Sequence, residues 1–307
     1  QYGLFLLKSI TVVVAILVIF AGLFASNRKP KPKLSILSLN EEYEKNLDAI
    51  NKEIHNKKPS KKKKTKTASP ILYVLDFSGD IKASGVSQLR NEITAVLSVV
   101  NPQDEIVLRL ESPGGSVNGY GLAAAQLQRI RDKKIPLTVC IDKVAASGGY
   151  LMACVADRIL AAPFAIIGSI GVVAQIPNFH KFLKKHDIDV ELLTAGEYKR
   201  TLTLLGENTE AGRKKFQEDL EKIHTAFRNY VLKNRSQLEI DKVSTGEHWL
   251  ATDAYDLRLV DKLITSDDYL VEKMASFKVV KIWMHSKSSL MNRIMKPVMN
   301  LLHPFGP

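Results

Sequence analysis

The chain opens on a nearly unbroken apolar stretch: from Leu4 to Ala25 the only clear interruptions are Lys8, Ser9 and Thr11. A helix needs about 20 apolar residues to cross a bilayer, so the stretch predicts a transmembrane anchor, with Lys8 near enough to one end to snorkel to the interface. It is long for the apolar part of a cleaved signal peptide, and no small-x-small cleavage site follows it. The chain begins with Gln1 rather than Met, so further residues are expected before it. Asn27 to Pro70 is polar and low in complexity and reads as an extended linker. Within it, Glu41 to Ile54 predicts a short helix through Leu47 and Ile50.

From Ile71 to about Leu270 the texture changes to short apolar runs alternating with helical periodicity. Ile71–Leu75, Ile106–Leu110, Leu137–Ile141, Arg158–Ala161 and Ile166–Ile170 read as strands. Val86–Val99, Gly119–Lys133 and Ser147–Val155 read as helices, as does Glu210–Asn234 with its stripe of Phe216, Leu220, Ile223, Phe227 and Val231. Strands alternating with helices predict a layered α/β fold with largely parallel pairing. In the last zone, Leu290, Met291, Ile294, Met295, Val298, Leu301 and Leu302 share one helical face, interrupted by Pro297. That face suits a membrane surface, a partner, or the body of the domain. The organisation is therefore an anchor (1–26), a basic linker (27–70), an α/β domain (71–270) and a basic amphipathic tail (271–307).

Charge and cysteine content refine this outline. The formal charge is +12, and the excess is local: Asn51 to Thr67 holds eight lysines and one glutamate. Such a run describes the segment rather than the fold. With Tyr43 as the linker's one aromatic, it offers little stacking surface for single-stranded nucleic acid, and no nucleic-acid partner is expected. Cys140 and Cys154 both lie in apolar surroundings and read as small buried hydrophobes. No CxxC or His-rich pattern points to a metal, and no cofactor is expected.

Four short motifs carry candidate chemistry: Ser112-Pro113-Gly114-Gly115-Ser116 after a strand, Ala145-Ala146-Ser147-Gly148-Gly149-Tyr150 at a helix start, Gly168-Ser169-Ile170-Gly171-Val172 at a strand end, and Gly196-Glu197-Tyr198-Lys199 before a polar turn. Ser147 sits between small residues that would let a substrate backbone approach. The Gly148 N–H and an amide of the Gly114–Gly115 turn are natural donors to an oxyanion. Read locally, Ser147 is equally a helix N-cap, and Lys199 alone is a surface charge. A serine nucleophile needs a base. The seven histidines, His180, His186, His224 and His248 among them, have no motif around them, whereas Lys199 does. A desolvated lysine serves as a base once its pKa falls toward neutrality.

In order and spacing these four motifs resemble the signal peptide peptidase A family, and most of all its branch with one catalytic domain, an N-terminal anchor and a basic linker. The resemblance covers about residues 70–270. It implies a Clp/crotonase-like fold of repeated ββα units, and a membrane-anchored serine endopeptidase with Ser147 as nucleophile and Lys199 as general base. It further implies Ser169 holding the lysine amine, and an oxyanion hole made by Gly114 or Gly115 with Gly148. Substrates would be signal peptides and other membrane-associated or misfolded polypeptides. The implied assembly is a homo-oligomeric ring, held by its N-terminal helix in the lipid of a bacterial inner membrane. Where the family has glycine before Leu-Val-Asp, this chain has Arg258, which bears on that turn and not on the dyad. Arg28, Lys29, Lys31 and Lys33 behind the anchor place the domain in the cytoplasm by the positive-inside rule, whereas some family members face the periplasm. The competing readings are a Clp-type Ser-His-Asp peptidase, a crotonase-type acyl-CoA enzyme and an inactive membrane scaffold.

Overall fold

In a computed structural model, residues 2–14 (apart from 4 and 8), 33–55 and 69–285 are described. Residues 2–3, 5–7 and 9–14 are helical, and among the described residues no helix is long and apolar enough to cross a membrane. The expected anchor runs on from these residues into 15–25, outside the described set, as do the lysine block and the expected helical face from Leu290 to Leu302. Residues 36–55 and 69–282 belong to one compact unit, and the described residues before 36 and after 282 to another.

The large unit is built on a sheet whose strand order is β1-β10-β2-β3-β4-β6-β9. Its strands are β1 (Lys33–Ser38), β2 (Ile71–Ser78), β3 (Glu105–Glu111), β4 (Leu137–Ile141), β6 (Arg158–Ala161), β9 (Lys262–Leu263) and β10 (Lys278–His285). From β10 through β9 every pairing is parallel. Helix α1 (Leu39–His55) precedes β2, α2 (Val86–Leu97) joins β2 to β3, and α3 (Val117–Asp132) joins β3 to β4. A smaller sheet orders β5 (Val144–Ala146), β7 (Ile166–Gly168) and β8 (His248–Leu250). Chain order therefore alternates sheets: β4 lies in the large one and β5 in the small, then β6 in the large and β7 in the small. Helix α4 (Gly148–Ala153) follows β5.

The strands are apolar on both faces because both are covered, the rule for parallel sheets. Along β2, Tyr73, Leu75 and Phe77 join the main core, while Leu72 and Val74 point into a second cluster. The main core is closed by Leu89 and Ile93 of α2 and by Tyr120, Leu127 and Ile130 of α3. The second contains Tyr269 and Leu270 of α9 (Ser266–Met274). Both cysteines are buried and free, as expected, and burial pushes the Cys140 thiol up to about 12. The expected short helix of the linker is α1, and Asn40 in its first turn ties it to β10: its amide donates to Phe277 O at 3.1 Å and its oxygen accepts the Val279 N–H at 2.7 Å.

Three further helices follow β7: α5 (His180–Lys185), α6 (Glu210–Asn234) and α7 (Ile240–Val243); α8 (Ala251–Asp256) follows β8. In α6 the predicted stripe is only half covered, and Val231 is its one buried residue. Arg258, at the position where glycine is usual, adopts φ 61°. The Leu259 N–H donates to Ala254 O at 2.8 Å and the Arg258 N–H to Tyr255 O at 2.9 Å. Those two bonds are the Schellman closure of α8, so the turn is kept and Arg258 occupies its left-handed position.

Candidate active site

Three strands deliver three of the motifs to one place, at their carboxyl ends, where open α/β sheets bind ligands. β3 runs out into Ser112, whose backbone bridges to β5: the Ser112 N–H donates to Val144 O at 2.8 Å and the Ala146 N–H to Ser112 O at 3.0 Å. β5 ends at Ser147, whose N–H donates to Gly168 O, the last residue of β7, at 2.8 Å. Ser112–Ser116, Ser147 and Gly168–Ser169 are thus stitched side by side.

Ser147 stands between β5 and α4 at φ 51° and ψ −118°, a combination outside the regions open to L-residues. Its N–H is held by Gly168, and its carbonyl accepts the Leu151 N–H at 3.0 Å. An N-cap side chain would accept from the first turn of the helix; the Ser147 hydroxyl does not. The capping alternative fails on that observation. A half-buried serine on a strained strand-to-helix turn, its hydroxyl free, has the layout of a nucleophile elbow.

The glycines beside it are required by space. A Cβ on Gly114, which has φ 91°, would lie 2.7 Å from Ser147 Cβ and 2.8 Å from Gly148 N. One on Gly115 would meet the Ile81 carbonyl at 2.2 Å, and one on Gly148 would meet Tyr120 Cγ at 2.3 Å. The Gly114 N–H already donates to Ser112 Oγ at 3.1 Å. Among the described residues, the N–H groups of Gly115 and Gly148 meet no acceptor.

Ser169 also has a positive φ, 52°, and its N–H donates to Glu247 O at 2.6 Å. His248, which the sequence places in a loop, instead opens β8, opposite Gly168 in the antiparallel register. The strand was hidden because three residues carry no readable period. Lys199 makes no hydrogen bond to this cluster. Its N–H closes a turn on Gly196 O at 3.2 Å, and its side chain is exposed, with no hydrogen bond or ion pair among the described residues. Around it Leu193 is 89% and Tyr198 58% exposed. The structure therefore brings together Ser147, Gly114, Gly115, Gly148 and Ser169, and no hydrogen bond joins Lys199 to any of them. Tyr120 escaped the sequence reading: it sits in a helix that reads as ordinary core, marked only by glycines on either side.

The fold and this cluster have the form of a serine hydrolase. Residues 1–127 match the model described as "Peptidase family S49 N-terminal", and residues 129–281 match "Peptidase family S49". "Probable protease SohB" of Haemophilus influenzae is 46% identical, over 99% of this chain and 95% of that protein. "Probable protease SohB" of Buchnera aphidicola subsp. Schlechtendalia chinensis is 48% identical, over 89% of this chain and 98% of that one. The chain belongs to peptidase family S49 and is a serine peptidase of the SohB branch.

Proposed function

We propose that this peptidase cleaves polypeptides through Ser147 as nucleophile and Lys199 as general base, in a Clp/crotonase-like domain. The observation that carries the reading is the backbone of Ser147: strained, stitched between two glycine motifs, and with its hydroxyl free of any capping duty. The Ser147 oxygen attacks the scissile carbonyl as its proton passes to the lysine amine. The Gly115 and Gly148 N–H groups receive the oxyanion, each worth about 3 kcal/mol of barrier. The lysine then returns the proton to the leaving amine, and water releases the acyl group by the same route in reverse. Ser169 orients the lysine. Gly114 shapes the turn without donating, since its N–H is held by Ser112.

Lys199 reaches its serine from a neighbouring copy in this reading. Its segment is exposed and carries an apolar surface, with Leu192, Leu193 and Tyr198 open to a partner. Closed cyclic symmetry suits such head-to-tail contacts. The anchor in the first 26 residues holds the ring on the inner membrane, with the catalytic domain (71–270) on the cytoplasmic side and the basic linker and tail flanking it. Substrates are unfolded or membrane-associated polypeptides, signal peptides included. The test mixes Ser147→Ala and Lys199→Ala subunits, each inactive alone. Activity regained on co-assembly supports the shared site; mixed oligomers without activity refute it. A second reading rests on the register of His248 opposite Gly168. Under it His248→Ala is inactive and Lys199→Ala active; the dyad predicts the reverse.

A further inference from the structure

Behind the Gly114–Gly115 turn lies a buried chain of hydroxyls that none of the chemistry above uses. Ser112 and Tyr120 both have zero solvent exposure. Ser112 Oγ and Tyr120 Oη are 2.6 Å apart, and Tyr120 Oη lies 2.9 Å from the carbonyl oxygen of Asp80. A carbonyl only accepts and a hydroxyl has one hydrogen, so the direction of the whole chain is fixed. Tyr120 donates to Asp80, Ser112 donates to Tyr120, and the Gly114 N–H donates to Ser112. Burial, the largest influence, raises the Tyr120 hydroxyl above its ordinary 10.0 although Ser112 acts the other way, so the phenol keeps its proton at neutral pH.

The same two residues touch the nucleophile's helix. A Cβ on Gly148 would fall 2.3 Å from Tyr120 Cγ, and a Cβ on Gly149 would sit 2.5 Å from Ser112 O. On the far side, a Cβ on Gly79 would fall 2.4 Å from both hydroxyl oxygens, so the chain is sealed by backbone and admits no larger neighbour. Tyr120 therefore meets the two glycine motifs at once: the 114–115 turn through Ser112, and the 148–149 turn through its ring.

We propose that Tyr120, acting through Ser112, is a positioning residue that sets the Gly114–Gly115 turn against Gly148, fixing the spacing of the two oxyanion donors. This rests on Ser147 being the nucleophile. Neither hydroxyl touches substrate. Their work is to spend the Gly114 N–H inward, which leaves the Gly115 N–H as the unpaired donor of that turn. A buried network of this kind acts as a unit, so its members are expected to be non-additive.

The experiment compares Tyr120→Phe, Ser112→Ala, the double variant and Ser147→Ala in the full-length chain, with an apolar fluorogenic peptide and a peptide boronic acid as probes. Losing one oxyanion donor costs about 100- to 1,000-fold in kcat, and loosening one should cost about 10- to 100-fold. Tyr120→Phe and Ser112→Ala are each expected to lower kcat by that factor with KM within about twofold. Boronate affinity should fall in parallel, and the double variant should be no worse than the poorer single one. A merely structural role would not make boronate affinity follow kcat at constant KM. If Tyr120→Phe melts too low to assay, Ser112→Ala decides alone. Wild-type kcat and boronate affinity in the folded single variants, with Ser147→Ala inactive, overturns the positioning role and leaves the nucleophile standing. Full activity in Ser147→Ala overturns both.

Discussion

Replacing Ser147 by glycine should abolish activity and stabilise the protein. At φ 51° and ψ −118° the Ser147 backbone lies where a Cβ is disfavoured, and such residues cost about 1–3 kcal/mol each. Glycine relieves that cost but adds about 0.5–1 kcal/mol of chain entropy to the unfolded state. Alanine keeps the Cβ and the strain while losing the same hydroxyl, so the Ala and Gly variants differ mainly in backbone freedom. The net gain of Ser147→Gly over Ser147→Ala is about 1 kcal/mol, which for a chain of this size is about 1.5–2 °C in Tm. Thermal unfolding of both variants of the full chain, followed by circular dichroism, reads this directly, with peptide hydrolysis as the control for loss of activity. A glycine variant that melts at or below the alanine variant would mean that Ser147 is unstrained, and the elbow would lose its physical basis.

Arg258→Gly should raise stability by about 0.5–1 kcal/mol, because Arg258 holds the left-handed position of a Schellman closure at φ 61°; an unchanged or lower urea midpoint would contradict that. Asp76 titrates below its ordinary 3.8: burial raises it, but hydrogen bonds from Arg109 and Lys281 outweigh burial. A lowered folded pKa stabilises fully above the unfolded value, and the benefit is lost as pH falls through the folded one. Asp76→Asn should therefore be less stable than wild type at pH 7, with the gap closing below about pH 4; a gap constant down to pH 2 would refute the assignment.

Elements whose length and composition carry a signal were legible. Leu137–Ile141 and Glu210–Asn234 emerge with the boundaries that the apolar runs define. β8 and β9, of three and two residues, were not, because no periodicity survives at that length. β10 was masked by the basic zone it begins; its Val279, Val280 and Ile282 are covered in the sheet beside β2. At the site, the glycine motifs were visible as motifs, but their geometry was not. That Gly114 spends its N–H on Ser112, and that Tyr120 receives the Ser112 hydroxyl, depends on residues from β3 and α3 meeting only after folding. The turn at Arg258 shows the converse: a residue that looked unsuited takes the left-handed conformation, because the two Schellman bonds and the buried Leu259 fix it.

Ser147 is proposed to be a nucleophile made reactive by Lys199. The most direct test treats the full-length protein with a fluorophosphonate probe and maps the adduct by peptide mass spectrometry. A single adduct on Ser147 is expected in the wild type, none in Ser147→Ala, and a labelling rate reduced by at least about 100-fold in Lys199→Ala, as when a serine loses its base. An adduct on another serine, or undiminished labelling of Ser147 without Lys199, would contradict it.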